Sequence, residues 1–141
     1  MDQKLSQLAH FLSQNAGAKV IVYFLTCAQV NFVWNALSKL PALKSLNLLS
    51  LHGKVPHSHR ASIYAKYTAS PSAVLFTTDV AARGLDIPDV QWIVQYDPPQ
   101  DPNAFVHRIG RTARMGREGS ALVFLAPHED TYVGMTVSAF S

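Results

Sequence analysis

Four of the six arginines in the chain fall in one stretch, HRIGRTARMGREG, residues 107–119. Arg108, Arg111, Arg114 and Arg117 stand three positions apart, with glycine, alanine and threonine among the residues between them. A guanidinium is permanently charged and planar and can pair two oxygens at once, which suits a phosphate better than the point charge of lysine. Arg108 and Arg111, at i and i+3, share a face if the backbone is helical, and Gly110 lets the chain turn so that Arg111 and Arg114 can enter a common cleft. Arg117, between Gly116 and Glu118, reads as a solvated position. Such a cluster can stabilise negative charge, but it supplies no nucleophile and no base.

The rest of the sequence withholds the parts that a complete catalytic site would need. A phosphate-cradling GxxxxGK[ST] loop is missing: the only Gly-Lys pair is Gly53-Lys54, with Leu48 where the first glycine would stand and Val55 where the hydroxyl would. Asp79 closes an apolar run, AVLFTTD, but no second acid lies beside it. No GxGxxG follows a strand, and no Ser/His/Asp or Cys/His pattern is visible. His57 and His59 have no third ligand in reach and read as a solvated helix start. Cys27 is the only cysteine, which excludes an internal disulfide and a thiolate metal cluster and points to a reducing, intracellular compartment.

Positioning these residues falls to alternating strands and helices. The chain has 141 residues, 48% of them hydrophobic, and a formal charge of +3, so it can bury a core and suits a polyanionic partner without requiring one. Its longest apolar run, Val20 to Leu25, is far too short to span a membrane. Leu5, Leu8, Ala9 and Leu12 make one face of an opening helix. Lys19 to Leu25 is apolar on both faces, like a strand inside a parallel sheet. Thr26 with Gln29 forms a capping-box pattern before the stripe Val30, Val33, Trp34 and Leu37, which Pro41 ends. Strands are expected at Leu46 to Leu51, Ala73 to Phe76, Gln91 to Tyr96 and Ser120 to Leu125. Helices are expected over Pro56 to Tyr67 and after an Asp101-Pro102 cap. One domain over residues 1–141 is expected, an α/β fold with a mostly parallel sheet flanked by helices. In such sheets ligands sit beyond the carboxyl ends of the strands, so the segments LHGK (51–54) and TTDVAARGLDIPDV (77–90) belong with the arginine run.

TTDVAARGLDIPDV followed by HRIGRTARMGREG resembles motifs V and VI of the DEAD-box RNA helicases, and HGKVPHSHR resembles their HG…R segment. The HRIGR opening is similar to the DEAD-box form of motif VI, whereas DEAH helicases begin it with glutamine. The resemblance spans Lys4 to Tyr132 and implies a three-layer RecA-like fold, the second of the family's two RecA-like domains. It implies that the chain is a fragment of a longer two-domain helicase. VQYDPPQDPNAFVHR looks most like the branch that acts in assembly of the large ribosomal subunit, which implies rRNA processing and a nuclear or nucleolar address.

The resemblance also implies roles. Asp86, with Gly84 in the same loop, would bond the ribose of ATP, and Arg111 and Arg114 would reach the γ-phosphate, the second as arginine finger. Gly53, Arg60, Thr78 and Asp79 would hold the RNA backbone. Arg83, His107 and Arg108 would tie motifs together across the interdomain cleft. ATP and its Mg2+ would be held mainly by the N-terminal RecA-like domain. The implied partners are RNA, bound without regard to base sequence, and that domain; no membrane is implied, and the expected state is a monomer. Ala113 replaces the family's usual glycine with both arginines still in register, and His57 replaces its common glutamine. The isolated domain is expected to be inactive. The competing reading is a non-catalytic RNA- or protein-binding module derived from a helicase domain.

Overall fold

The computed structural model describes residues 3–78, 81, 90–97 and 120–123. Its strands are β1 (Lys19–Phe24), β2 (Leu48–Leu51), β3 (Ala73–Thr78), β4 (Trp92–Gln95) and β5 (Ser120–Val123), and its helices are α1 (Gln3–Gln14), α2 (Cys27–Ser38) and α3 (His57–Ala69). The strands form one sheet in the order β2-β3-β1-β4-β5, and every pairing is parallel. After β1 the chain crosses to the far edge at β2, returns through β3, and places β4 and β5 on the other side of β1. The crevice where strand order reverses therefore lies at the carboxyl ends of the central strands.

β1 shows why the layers form. All six of its residues are buried, and from Val20 to Phe24 they alternate between two cores. Val20, Val22 and Phe24 pack with Leu5, Leu8 and Leu12 of α1 and Val30, Val33 and Leu37 of α2. Ile21 and Tyr23 pack on the opposite face with Tyr67, Ile63 and Tyr64 of α3. A strand covered on both faces must be apolar at every position, as the run VIVYF is. Phe24 meets Phe76 edge-on at 5.8 Å and Tyr96 at 5.0 Å. Full burial of one such side chain stabilises the fold by about 1.5–3 kcal/mol.

The boundaries differ from the sequence reading where hydrogen bonds compete with pattern. The apolar run of β2 begins at Leu48 rather than Leu46, because a single 3₁₀ turn over Pro41–Leu43 intervenes and the Leu46 amide bonds the Leu43 carbonyl at 3.0 Å. α2 ends at Ser38, before Pro41, with the Leu40 amide bonding back to Leu37 at 3.1 Å. β3 runs two residues past Phe76, so Thr77 and Thr78 are strand residues, not the start of a loop. β1 stops at Phe24, and Leu25 is 47% exposed. The helix expected after Asp101 lies outside the described residues. No helix among the described residues is long and apolar enough to cross a membrane.

Candidate nucleic-acid interface

The carboxyl edge of the sheet gathers polar side chains that bond to nearby backbone. Thr26 caps α2: its hydroxyl accepts from the Gln29 amide at 3.1 Å, the bond that its place three residues before Gln29 predicts. Thr78 ends β3 beside Phe24 of β1. Its side-chain oxygen accepts from the Ala81 amide at 3.4 Å, an arrangement that orders the start of the next segment and leaves the hydroxyl proton to donate elsewhere. At the end of β4, Asp97 is nearly buried; its carboxylate accepts from the Leu25 amide at 3.3 Å and stands 3.7 Å from the Lys4 ammonium. Lys4 also lies 5.2 Å over the Tyr96 ring.

Because β2 pairs with β3, the turn that follows β2 stands beside Thr78. This turn, residues 52–55, closes with the Val55 amide bonding the His52 carbonyl at 3.0 Å. Arg60, in the first turns of α3, folds back onto it. Its Nε donates to the Val55 carbonyl at 2.8 Å and its Nη2 to the Gly53 carbonyl. Two of the five guanidinium N–H groups are thus spent on the loop, and the half-buried side chain keeps others for an outside acceptor. Arg60 is first a brace for the turn.

Gly53 is exposed, and a Cβ placed on it would meet only the Cys27 Sγ at 3.8 Å, an ordinary contact. Its φ lies outside the left-handed region. Nothing among the described residues requires glycine here. The Gly53 amide has no partner among the described residues, while the Lys54 amide bonds the His52 ring and the Val55 amide closes the turn. The exposed Lys54 carries positive charge beside this free donor.

Of the residues read from sequence, the structure brings Gly53, Arg60 and Thr78 to one edge. Asp79, Arg83, Gly84, Asp86, His107, Arg108, Arg111 and Arg114 lie outside the described residues. His57 and His59 are both exposed at the start of α3, and among the described residues no group of three metal-binding side chains exists. Sequence reading missed His52, which is 4% exposed and bonded at both ring nitrogens. It also missed Asn31, which meets that ring from α2. For His52 the signals were its place at the carboxyl end of a buried strand and as the first residue of the HG…R segment; Asn31 carried none.

Residues 3–116 match the family described as helicase conserved C-terminal domain. The chain is 54% identical over 132 residues to DEAD-box ATP-dependent RNA helicase 49 of Arabidopsis thaliana, covering 94% of this chain and 24% of that protein. It is 51% identical over 134 residues to the probable ATP-dependent RNA helicase ddx55 of Dictyostelium discoideum, covering 94% of this chain and 20% of that protein. The chain thus spans about a fifth to a quarter of the length of these relatives. Among solved structures it superposes on E. coli DEAD-box protein SrmB, solved bound to regulator of ribonuclease activity A, with a TM-score of 0.80 and 33% identity over 98% of this chain and 78% of that one. Domain 2 of the DEAD-box helicase Mss116p, solved bound to an RNA duplex, gives a TM-score of 0.79 and 31% identity over 92% of this chain and 51% of that one. The parallel sheet with helices on both faces is accordingly RecA-like, and the chain belongs to the helicase conserved C-terminal domain family, as a C-terminal RecA-like domain of the DEAD-box type.

Proposed function

We propose that the chain works as the second RecA-like domain of an ATP-dependent RNA helicase, within a longer two-domain protein. One observation supports the reading: pairing of β2 with β3 brings the turn that holds Gly53, Lys54 and the Arg60 brace to the same carboxyl edge of the sheet as Thr78. Two neutral donors, the Gly53 amide and the Thr78 hydroxyl, together with these cations fit phosphates of a nucleic-acid strand and carry no base information. Asp79, next to Thr78 in sequence, belongs to the same grip.

The ATP half of the reading rests on motif resemblance. Asp86 bonds the ribose, with Gly84 in the same ATP-binding loop, Arg111 and Arg114 meet the γ-phosphate, and Arg83, His107 and Arg108 tie the motifs across the cleft to the N-terminal RecA-like domain. That domain holds most of the ATP and Mg2+. Bound ATP supplies the phosphoryl group whose transfer to water ends the RNA-gripping state. Because phosphoryl transfer needs positioning and charge stabilisation rather than covalent catalysis, an arginine finger contributes a rate gain of about 10³ to 10⁵, or about 4 to 7 kcal/mol. The phrase VQYDPPQDPNAFVHR supports a role in ribosome biogenesis and a nucleolar address.

The test is ATPase activity of the complete two-domain enzyme at saturating RNA. Arg114→Ala lowers kcat by roughly a hundredfold or more with little change in ATP affinity, because the lost interaction is made in the transition state. Arg114→Lys recovers little, since it keeps the charge and loses the fork. Arg117→Ala changes activity by no more than a few tenths of a kcal/mol, as at ordinary surface positions. Equal losses at 114 and 117 would reduce the cluster to a diffuse basic patch.

A further inference from the structure

His52 is a nearly buried imidazole at the mouth of β2 with no part in the contacts proposed above, and both of its ring nitrogens are committed. Nδ1 accepts from the Lys54 amide at 3.2 Å. A ring nitrogen that accepts carries no proton, so the proton is on Nε2, which stands 3.3 Å from the Asn31 Oδ1 and donates to it. The bond from a side chain to the amide two residues on is the bond of an Asx turn, made here by imidazole instead of carboxamide. The Val55 amide bonds the His52 carbonyl, and Arg60 bonds the carbonyls of Gly53 and Val55. The Gly53 amide has no partner among the described residues.

We propose that His52 is a positioning residue for the RNA-gripping turn: as the neutral Nε2–H tautomer it ties the Lys54 amide to Asn31 of α2 and keeps the Gly53 amide available, and protonation of the ring releases the turn. This rests on the RNA-grip reading of the previous section. The surroundings of the ring favour the neutral form. Lys54 in the turn and Arg60 on α3 are both cations; α2 contributes the uncharged Asn31 and, against Gly53, the Cys27 thiol. Burial first, then Lys54 and Arg60, hold the His52 ring below the ordinary histidine value of 6.5. A protonated Nδ1 would point its hydrogen at the Lys54 N–H and lose the bond. The lock is therefore complete above about pH 6.5, the unperturbed histidine value, and is lost as pH falls from there through the depressed folded value.

Two measurements on the full 141-residue chain decide it. In the first, histidine ring nitrogens and backbone amides are followed by NMR from pH 7.5 to 5. The expected result is an Nε2–H tautomer at neutral pH and a Lys54 amide that moves with the same midpoint as the His52 ring. An Nδ1–H tautomer, or a Lys54 amide indifferent to His52 titration, overturns the lock. In the second, oligouridylate affinity is measured by fluorescence anisotropy at pH 7.5 and 5.5 at fixed low salt, with urea unfolding at each pH to show that every protein is folded. His52→Asn keeps an acceptor for the Lys54 amide and cannot titrate, so it holds neutral-pH affinity close to wild type. His52→Leu keeps neither bond and loses about two- to tenfold at both pH values, the span one hydrogen bond commands. Wild type falls relative to His52→Asn by a comparable factor once the pH passes below the His52 midpoint read by NMR; this ratio cancels any pH effect common to both proteins. Equal pH profiles for wild type and His52→Asn, or an asparagine variant as weak as the leucine variant, overturn the proposal. Absence of oligouridylate binding by wild type at any pH overturns the RNA-grip reading and the binding role of His52 with it, whereas the NMR result bears on the lock alone.

Discussion

The two ends of the sheet use the same polar chemistry to opposite effect. At the amino end, side chains and backbone close the strands against one another. The Lys19 amide bonds the Gln91 side chain at 2.7 Å, the Gln91 amide bonds the Lys19 carbonyl at 2.9 Å, and the Val74 amide bonds the Asn47 carbonyl at 2.9 Å. The Tyr67 hydroxyl donates to the Val20 carbonyl at 2.9 Å, and the Lys19 ammonium, 4.8 Å over the Tyr67 ring, reaches the Thr68 carbonyl at 3.3 Å. At the carboxyl end, Thr26 and Thr78 accept from the amides of Gln29 and Ala81, and His52 and Arg60 bond the backbone of the turn over residues 52–55, where the Gly53 amide has no partner among the described residues. A polar group satisfied within the fold contributes to stability and little else, whereas one that orders a loop with a free donor builds a site. Changes at the amino end should therefore move stability and spare RNA affinity, and changes at the carboxyl edge should show the reverse bias.

The largest expected effect tests the amino end. Tyr67 is fully buried, and burial raises its hydroxyl pKa, so the group stays a neutral donor throughout the working pH range. Tyr67→Ala leaves a ring-sized cavity and should cost about 3–5 kcal/mol in urea unfolding. Tyr67→Phe removes only the bond to Val20 and should cost about 1 kcal/mol, with oligonucleotide affinity of the folded protein unchanged. A fall in affinity for Tyr67→Phe would blur the distinction between the two ends.

Thr26→Ala probes the border between closure and site. It removes the cap of α2 and should cost about 1 kcal/mol of stability, read from the urea midpoint at constant slope. The smallest expected stability change belongs to Gly53→Ala. The added methyl meets the Cys27 sulfur at ordinary contact distance and the backbone is not left-handed, so the change is within about 0.5 kcal/mol of zero in unfolding. Oligonucleotide affinity should nevertheless fall measurably in anisotropy titrations if, as proposed, a phosphate meets the Gly53 amide, since the methyl would stand beside it. An unchanged affinity would show that this edge is as closed as the other.

Much of the framework was legible because it rests on local rules. The alternation of apolar strands with helical stripes specified parallel strands between helices, since a run such as VIVYF can be buried only with cover on both faces. Thr26 three residues before Gln29 specified a cap, and the cap is there. The motifs HRIGR and TTDVAARGLD specified the family, and residues 3–116 match it. Strand ends were less legible, as at Thr77 and Thr78, where ladder bonds to β1 and β2 extend the strand beyond the apolar run.

The sequence by itself determined the helix-covered parallel sheet, the apolar stripes and the residue types gathered in the motifs, because periodicity and side-chain chemistry are properties of the chain. Only the tertiary structure decided how those residues are used. Arg60 looks from sequence like a cation offered to a ligand, yet its nearest acceptors are the carbonyls of Gly53 and Val55, brought to it by the return of α3 across the turn. His52 and Asn31, twenty-one residues apart, meet only because the crossover from β1 through α2 to β2 sets the helix beside the strand's end. A hydrogen bond across such a separation depends on packing that no local pattern encodes, so partners, burial and the tautomer of a ring are fixed when the layers close.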